Sequence, residues 1–312
     1  MPLDENARRL LERMLADGGP PSGDMPVEQA RLNSAGRFEN TDGPPQPVRL
    51  VVNTTCPGPG GEIPLRLYYP DDAGPLPVCV FFHGGGWVLC SLDSHDTTCR
   101  RLVNATGCLV VSVDYRLAPE HPFPAAVEDA FAATKWVAEH AGSMCADPAR
   151  IAVAGDSAGG NLAAVVSLLA RDAGAPKLIF QLLIVPVTEC LPENSSYREC
   201  GTDYYLTRDF MAWFFSHYLP REQDRRDWRA LPALAPSLAG LPPALVLTAE
   251  CDPLREEGEA YARRLAAEGV PVTLRRFDGT LHQFFVMSEA LPQGKEAMQL
   301  ASAHLKQQFL PR

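Results

Sequence analysis

The residues best suited to chemistry lie in four short segments. The run Ile151-Ala152-Val153-Ala154-Gly155-Asp156-Ser157-Ala158-Gly159-Gly160 joins an apolar, strand-like stretch to a helix-forming one through Gly-x-Ser-x-Gly. A serine hydroxyl is a weak nucleophile. It must be presented at a sharp turn where a base can take its proton, and the flanking glycines permit both the turn and close packing around it. A helix starting at Ala158 adds its positive dipole end near the charge that attack creates. Ser157 is therefore the candidate nucleophile.

The segment His83-Gly84-Gly85-Gly86-Trp87 follows a second apolar run, 78–82. Attack on a carbonyl leaves negative charge on its oxygen. Backbone N–H groups aimed at that oxygen stabilise it, and losing one donor costs about 3 kcal/mol. Gly84 and Gly85 are the expected donors, with Ala158 as the third. His83 is expected to brace this loop rather than to move protons.

A base and a carboxylate to orient it are still needed. The run 244–248 reads as a strand that ends in Glu250-Cys251-Asp252-Pro253. Proline ends the strand and leaves Asp252 in the loop, as the candidate acid. Glu250 is its rival, because residues two apart on a strand share a side. Asp278 lies too near the histidine in sequence to be favoured. His282, in Gly279-Thr280-Leu281-His282-Gln283, follows the last strand-like run, 272–275. A buried carboxylate would fix its tautomer and stabilise the imidazolium that forms. His95, His121, His140, His217 and His304 read as surface or packing residues. No histidine pair has metal-ligand spacing, so no metal is expected.

Elements must carry these segments to one place. Short apolar runs at 49–55, 64–69, 78–82, 109–113, 151–154, 178–185, 244–248 and 272–275 read as strands. Helical patterns at 125–140, 158–172, 256–268 and 296–309 alternate with the later ones. Alternating strand and helix predicts an α/β fold with a mainly parallel central sheet flanked by helices. The strand C-termini of such a sheet share one edge, where ligands bind.

Leu10, Leu11, Met14 and Leu15 recur at helical spacing near the N-terminus, and 17–26 and 40–47 read as loops. Residues 195–230 are aromatic-rich and helical, which interrupts the strand rhythm. The expected organisation is an N-terminal part of a helical cap (1–45), a first core segment (46–194), a cap insertion (195–230) and a second core segment (231–312). Trp87, Leu206, Phe210 and Phe214 are candidate walls of a roofed substrate pocket.

The 312 residues carry a formal net charge of -10, which disfavours nucleic acid and anionic membranes as partners. The stretch 1–14 is too charged for a signal-peptide core, and no run is long and apolar enough to span a membrane. Nine cysteines without a Cys-x-x-Cys pair read as reduced thiols, so a cytoplasmic location is expected.

The four segments, together with Asp114-Tyr115-Arg116-Leu117-Ala118-Pro119-Glu120-His121-Pro122-Phe123-Pro124 and Asp252-Pro253-Leu254-Arg255, give the chain a clear likeness. It resembles the hormone-sensitive-lipase-like family of α/β-hydrolases, especially its bacterial esterases. That resemblance implies hydrolysis of small, short- to medium-chain acyl esters by a Ser-His-Asp triad through an acyl-enzyme. It also implies a cap built from the N-terminus and the later insertion, no cofactor, and homodimers paired through the last strands. Two positions depart from the family's habit: Gln283 stands where glycine is usual, and Cys251 where an aromatic is common. An amidase or formamidase using the same triad is the alternative enzyme. A small-molecule receptor on the same fold is the alternative outside catalysis.

Overall fold

A computed structural model describes residues 3–16, 25–35 and 42–310. The described residues form one eight-stranded sheet: β1 (Leu50–Gly58), β2 (Gly61–Tyr69), β3 (Leu76–Phe82), β4 (Leu109–Val113), β5 (Ala146–Asp156), β6 (Leu178–Ile184), β7 (Ala244–Cys251) and β8 (Val272–Leu281). Their spatial order is β1-β2-β4-β3-β5-β6-β7-β8. β1 and β2 pair antiparallel, as do β2 and β4. From β4 through β3 to β8 every pairing is parallel.

The composition of the strands explains this. β4 is Leu109-Val110-Val111-Ser112-Val113, buried at every position, and residues 78–82 and 151–156 are buried throughout. Apolar side chains on both faces require cover on both faces, and parallel strands need crossovers long enough to supply it. The crossover helices are α3 (Asp96–Thr106), α4 (Ala125–Glu139), α5 (Ala158–Ala173) and α8 (Arg255–Ala267), with α9 (Pro292–Phe309) last. α3 packs with α9, α4 packs with α5, and α8 lies along β7. Gly107 and Gly174 end α3 and α5 in left-handed conformations, with φ of 71° and 72°.

One topological consequence matters most. β3, β5, β7 and β8 run parallel, so their C-termini lie on one edge. Phe82, Asp156, Cys251 and Leu281 end these strands. The residues that follow immediately are the four chemical segments.

Two pairs of helices add to this core. At the N-terminus, α1 (Glu5–Ala16) buries Ala7, Leu10, Leu11 and Met14. Leu15 does not join them; it is half exposed. The Asp4 carboxylate accepts the Ala7 N–H at 2.8 Å and starts the helix. α2 (Val27–Ala35) follows. The loop expected over 17–26 falls mostly outside the described residues, as does the start of the one over 40–47. Between β6 and β7 lie α6 (Ser195–Cys200) and α7 (Arg208–Tyr218). The Asn194 side chain caps α6 by accepting the Tyr197 N–H at 3.0 Å, and Thr207 caps α7 by accepting the Phe210 N–H at 3.1 Å. None of the described helices is long and apolar enough to cross a membrane.

Candidate active site

Ser157 sits between β5 and α5 with φ 55° and ψ -116°, outside the regions that side chains favour. The backbone around it enforces this turn. The Ser157 N–H donates to Ile184 O at 2.8 Å, and Ser157 O accepts the Asn161 N–H at 3.0 Å. The motif glycines are spatial necessities. A Cβ on Gly159 would lie 1.9 Å from Phe82 O, and one on Gly155 would lie 2.3 Å from the Gly159 backbone. Only glycine lets the turn press against the end of β3.

His282 follows β8 and Asp252 follows β7. His282 Nε2 lies 3.0 Å from Ser157 Oγ, and His282 Nδ1 lies 2.8 Å from Asp252 Oδ2. All three side chains are buried. A carboxylate only accepts, so the pattern reads as Nδ1–H donating to Asp252 and Nε2 accepting the serine O–H. The other Asp252 oxygen accepts the Leu254 N–H at 2.9 Å, which fixes the carboxylate in its loop.

Glu250, the rival acid, has a different partner. Its carboxylate accepts the Gly279 N–H at 2.7 Å, three residues before the histidine. The Gly279 carbonyl accepts the Asp4 N–H at 2.9 Å. The peptide before the His282 turn is thus held from β7 on one side and from the start of α1 on the other. Asp278 is exposed and takes no place beside His282.

The glycine loop needs one correction. The Gly84 N–H donates to Asp156 Oδ1 at 3.0 Å and also lies 3.4 Å from His95 Nε2. It is engaged beneath the loop and cannot serve as an oxyanion donor. Gly85 and Gly86, with φ of 103° and 59°, line the cleft with Ser157. Gly85 and Gly86 therefore replace Gly84 and Gly85 as the candidate donors of the loop, with Ala158 at the start of α5 as the third candidate.

Sequence reasoning missed what holds this loop. Asp156 and His95 are both fully buried, with Oδ1 and Nε2 3.1 Å apart. His95 was expected to be an ordinary packing residue; here its ring nitrogen faces the buried Asp156 carboxylate. Burial alone would raise the Asp156 carboxyl, but the pull of His95 outweighs it and leaves the carboxyl below its ordinary range. The only sequence signal was an acidic residue beside the nucleophile. His83 braces the loop as expected: its Nδ1 donates to Gly84 O at 2.7 Å, and its ring stacks on Tyr115 at 4.4 Å. Burial lowers its pKa to about 3, so it stays neutral.

The cleft over Ser157 and His282 spans about 470 Å³, counting the open solvent at its mouth. Leu89, Tyr205, Leu206, Phe210 and Phe214 make its apolar wall; Asn33, Ser34 and Gln283 bring polar atoms to it. Phe210 and Phe214 stack at 4.3 Å, and the Phe214 ring lies so close over Gly86 that a Cβ there would meet it at 2.2 Å. Trp87, expected in this wall, is not part of it. It is fully buried and stacked on Tyr218 at 4.0 Å, with Phe215 beside it. Its left-handed φ of 59° turns the indole away from the cleft and under α7, which it anchors.

α2 borders the cleft with Ala30, Asn33 and Ser34 and is docked by Arg31. Its Nε donates to Val88 O at 3.0 Å, its Nη2 to Ala118 O at 3.0 Å, and both terminal nitrogens bind the Glu120 carboxylate at 2.6 and 2.8 Å. The Trp213 indole donates to Met25 O at 3.2 Å, which ties α7 to the approach to α2. Among the described residues, no cluster of side chains has the makings of a metal site.

Comparison with known proteins agrees with this geometry. The family described as alpha/beta hydrolase fold matches residues 79–286. LipN of Mycobacterium tuberculosis, a carboxylic ester hydrolase, is 48% identical over 240 residues, 75% of this chain and 64% of LipN. The carboxylesterase NlhH of the same organism is 46% identical over 250 residues, 78% of each chain. Among solved structures, an esterase of Pyrobaculum calidifontis is 43% identical with a TM-score of 0.92, covering 99% of this chain and all of that one. A thermostable esterase of Pseudomonas putida is 40% identical with a TM-score of 0.95, covering 100% and 99%. With four motifs in order on one sheet edge and these relatives, the chain belongs to the hormone-sensitive-lipase-like family of α/β-hydrolases.

Proposed function

We propose that this protein is a carboxylesterase acting on short- to medium-chain acyl esters, with Ser157, His282 and Asp252 as its triad. The observation that carries the reading is the unbroken chain from Ser157 Oγ to His282 Nε2 at 3.0 Å and from His282 Nδ1 to Asp252 Oδ2 at 2.8 Å, beneath an apolar cleft.

His282 takes the serine proton as Oγ bonds to the ester carbonyl carbon. The oxyanion accepts hydrogen bonds from the amides of Gly85, Gly86 and Ala158, and Asp252 stabilises the imidazolium. The C–O bond to the alcohol breaks as His282 returns the proton to the leaving oxygen. Water, deprotonated by the same histidine, then releases the acid from Ser157. The proton count closes at each half-reaction.

The substrate range follows from the roof. Residues 1–45 and 195–230 act in this proposal as a cap over the core segments 46–194 and 231–312. Aromatic rings at Phe210 and Phe214 suit a compact acyl or alcohol group. A long chain would have to lose the freedom of many rotors to lie under them. The proposal also retains the cytoplasmic location, supported by nine cysteines without paired spacing. It retains a homodimer as well, supported by β8, an edge strand whose free side can pair with a second copy. Light scattering of the purified protein reads the dimer.

The test is kcat/KM on 4-nitrophenyl esters from acetyl to palmitoyl, with the 4-nitroanilide of the best acyl group in parallel. An optimum at short or medium esters, with no jump as micelles form, is expected. A palmitoyl optimum or interfacial activation would show a lipase. Faster cleavage of the anilide would show an amidase.

A further inference from the structure

Gln283, the residue after the candidate base, is built into the cleft in a way that its neighbours do not explain. Its backbone has φ 65° and ψ 12°, the left-handed region that glycine occupies most readily. A large polar residue there needs a compensating role. The side chain is 5% exposed and lines the same cleft as Ser157 and His282. Its Oε1 is buried without a hydrogen-bond partner. A buried amide oxygen left unpaired is costly, and natural interiors seldom retain one without a reason.

The surroundings specify what would pair with it. The rest of the wall near the serine is largely apolar, from Leu89, Tyr205, Leu206, Phe210 and Phe214. Polar groups gather on the side formed by Gln283 and α2, where Asn33 and Ser34 also reach the cleft. The Ser34 hydroxyl proton is directed to Arg31 O at 3.0 Å, which leaves its oxygen able to accept. The Asn33 carbonyl oxygen is occupied by the Gln29 amide at 2.8 Å. On this side of the cleft, Ser34 Oγ and Gln283 Oε1 can accept a proton that a ligand brings.

We propose that Gln283 is a specificity residue that selects esters bearing a hydroxyl on the chain next to the reacting carbonyl. Bound hydroxyl would donate to Gln283 Oε1, while the alkyl remainder lies on the aromatic wall. The inference rests on the esterase reading and names its substrate class. A hydrogen bond to a buried, otherwise unpaired group discriminates strongly against the analogue that lacks it.

The experiment compares three 4-nitrophenyl esters with one leaving group: butyrate, 2-hydroxybutyrate and 3-hydroxybutyrate. Wild-type protein, Gln283→Met and Gln283→Gly are each assayed for kcat/KM, after circular dichroism has checked that they are folded. Methionine keeps the length without the amide, and glycine accepts the left-handed backbone without strain. Wild type should favour at least one hydroxy ester over butyrate by about tenfold, the size of one net hydrogen bond. Both variants should bring that ratio to about one. Equal rates for all three esters in wild type, or a preference that survives both substitutions, overturns the assignment of Gln283 while leaving ester hydrolysis intact. No hydrolysis of any ester by folded wild type overturns the esterase reading itself.

Discussion

The sheet edge and its roof are built on different principles. At the edge, each candidate catalytic residue directly follows a strand, and the backbone fixes it: Ser157 by the packing of Gly155 and Gly159, Asp252 by the Leu254 amide, His282 by the Glu250 and Asp4 contacts to Gly279. The proposed roof is held by side chains that reach across between elements: Arg31 from α2, Trp213 from α7, and Trp87 from the glycine loop beneath Tyr218. A site fixed by backbone tolerates little change. A wall fixed by side chains can vary while the chemistry below it persists. Damage to the edge should therefore lower turnover, and damage to the roof should alter binding and selection.

The sharpest break of this contrast is at the acid. Asp252→Asn should lower kcat by about 10⁴-fold, as the equivalent change does in a serine protease. Glu250→Gln retains an acceptor for the Gly279 amide and should cost far less. Steady-state kinetics on 4-nitrophenyl butyrate rank the two. A larger loss from Glu250→Gln would mean that the acid is misassigned.

A middle effect is expected beneath the glycine loop. Asp156→Asn weakens the grip on Gly84 and removes the charge facing His95, so Gly85 and Gly86 lose their aim. Loss of an oxyanion donor costs about 10²–10³ in kcat, and misaim should cost about tenfold to a hundredfold. KM should change little. A rise in KM at constant kcat would make Asp156 part of the binding wall instead.

The smallest effect belongs to the roof. Arg31→Ala should raise KM several-fold and leave kcat within about twofold, because a half-exposed ion pair is worth less than about 1 kcal/mol. The same pair makes α2 docking acid-sensitive. The hydrogen bond from Arg31 holds the Glu120 carboxyl down to about 2, from an ordinary 4.5. The folded form therefore prefers the ionised carboxylate. Its contribution is complete above the ordinary value and fades as pH falls through the range between the two. The melting-temperature gap between wild type and Glu120→Gln should narrow accordingly on acidification.

The edge was largely legible in the sequence because strand-terminal motifs are local. The apolar runs at 78–82, 109–113 and 151–154 fall inside β3, β4 and β5, and Ser157, Asp252 and His282 need only the order of strands to meet. The roof was less legible. In the core, α3 was not foreseen either: Thr97, Thr98 and Thr106 are poor helix formers that dilute its pattern, and the helix buries Cys99, Leu102 and Val103. α2 shows little amphipathic pattern, since Leu32 is exposed and its docking depends on one arginine. Trp87 and Gly84 were misread for one reason. Neighbouring residues in a tight loop point to opposite sides, and φ at each position decides which side faces the cleft.

The account stands on Ser157 as the residue that becomes acylated. An alkyl phosphonate ester should therefore inactivate the protein with a stoichiometry near one, and peptide mass mapping should place the adduct on Ser157. Ser157→Ala should take up none and should lose roughly 10⁶-fold in kcat on 4-nitrophenyl butyrate. Adduct on another residue, or hydrolysis by folded Ser157→Ala at the wild-type rate, would contradict it.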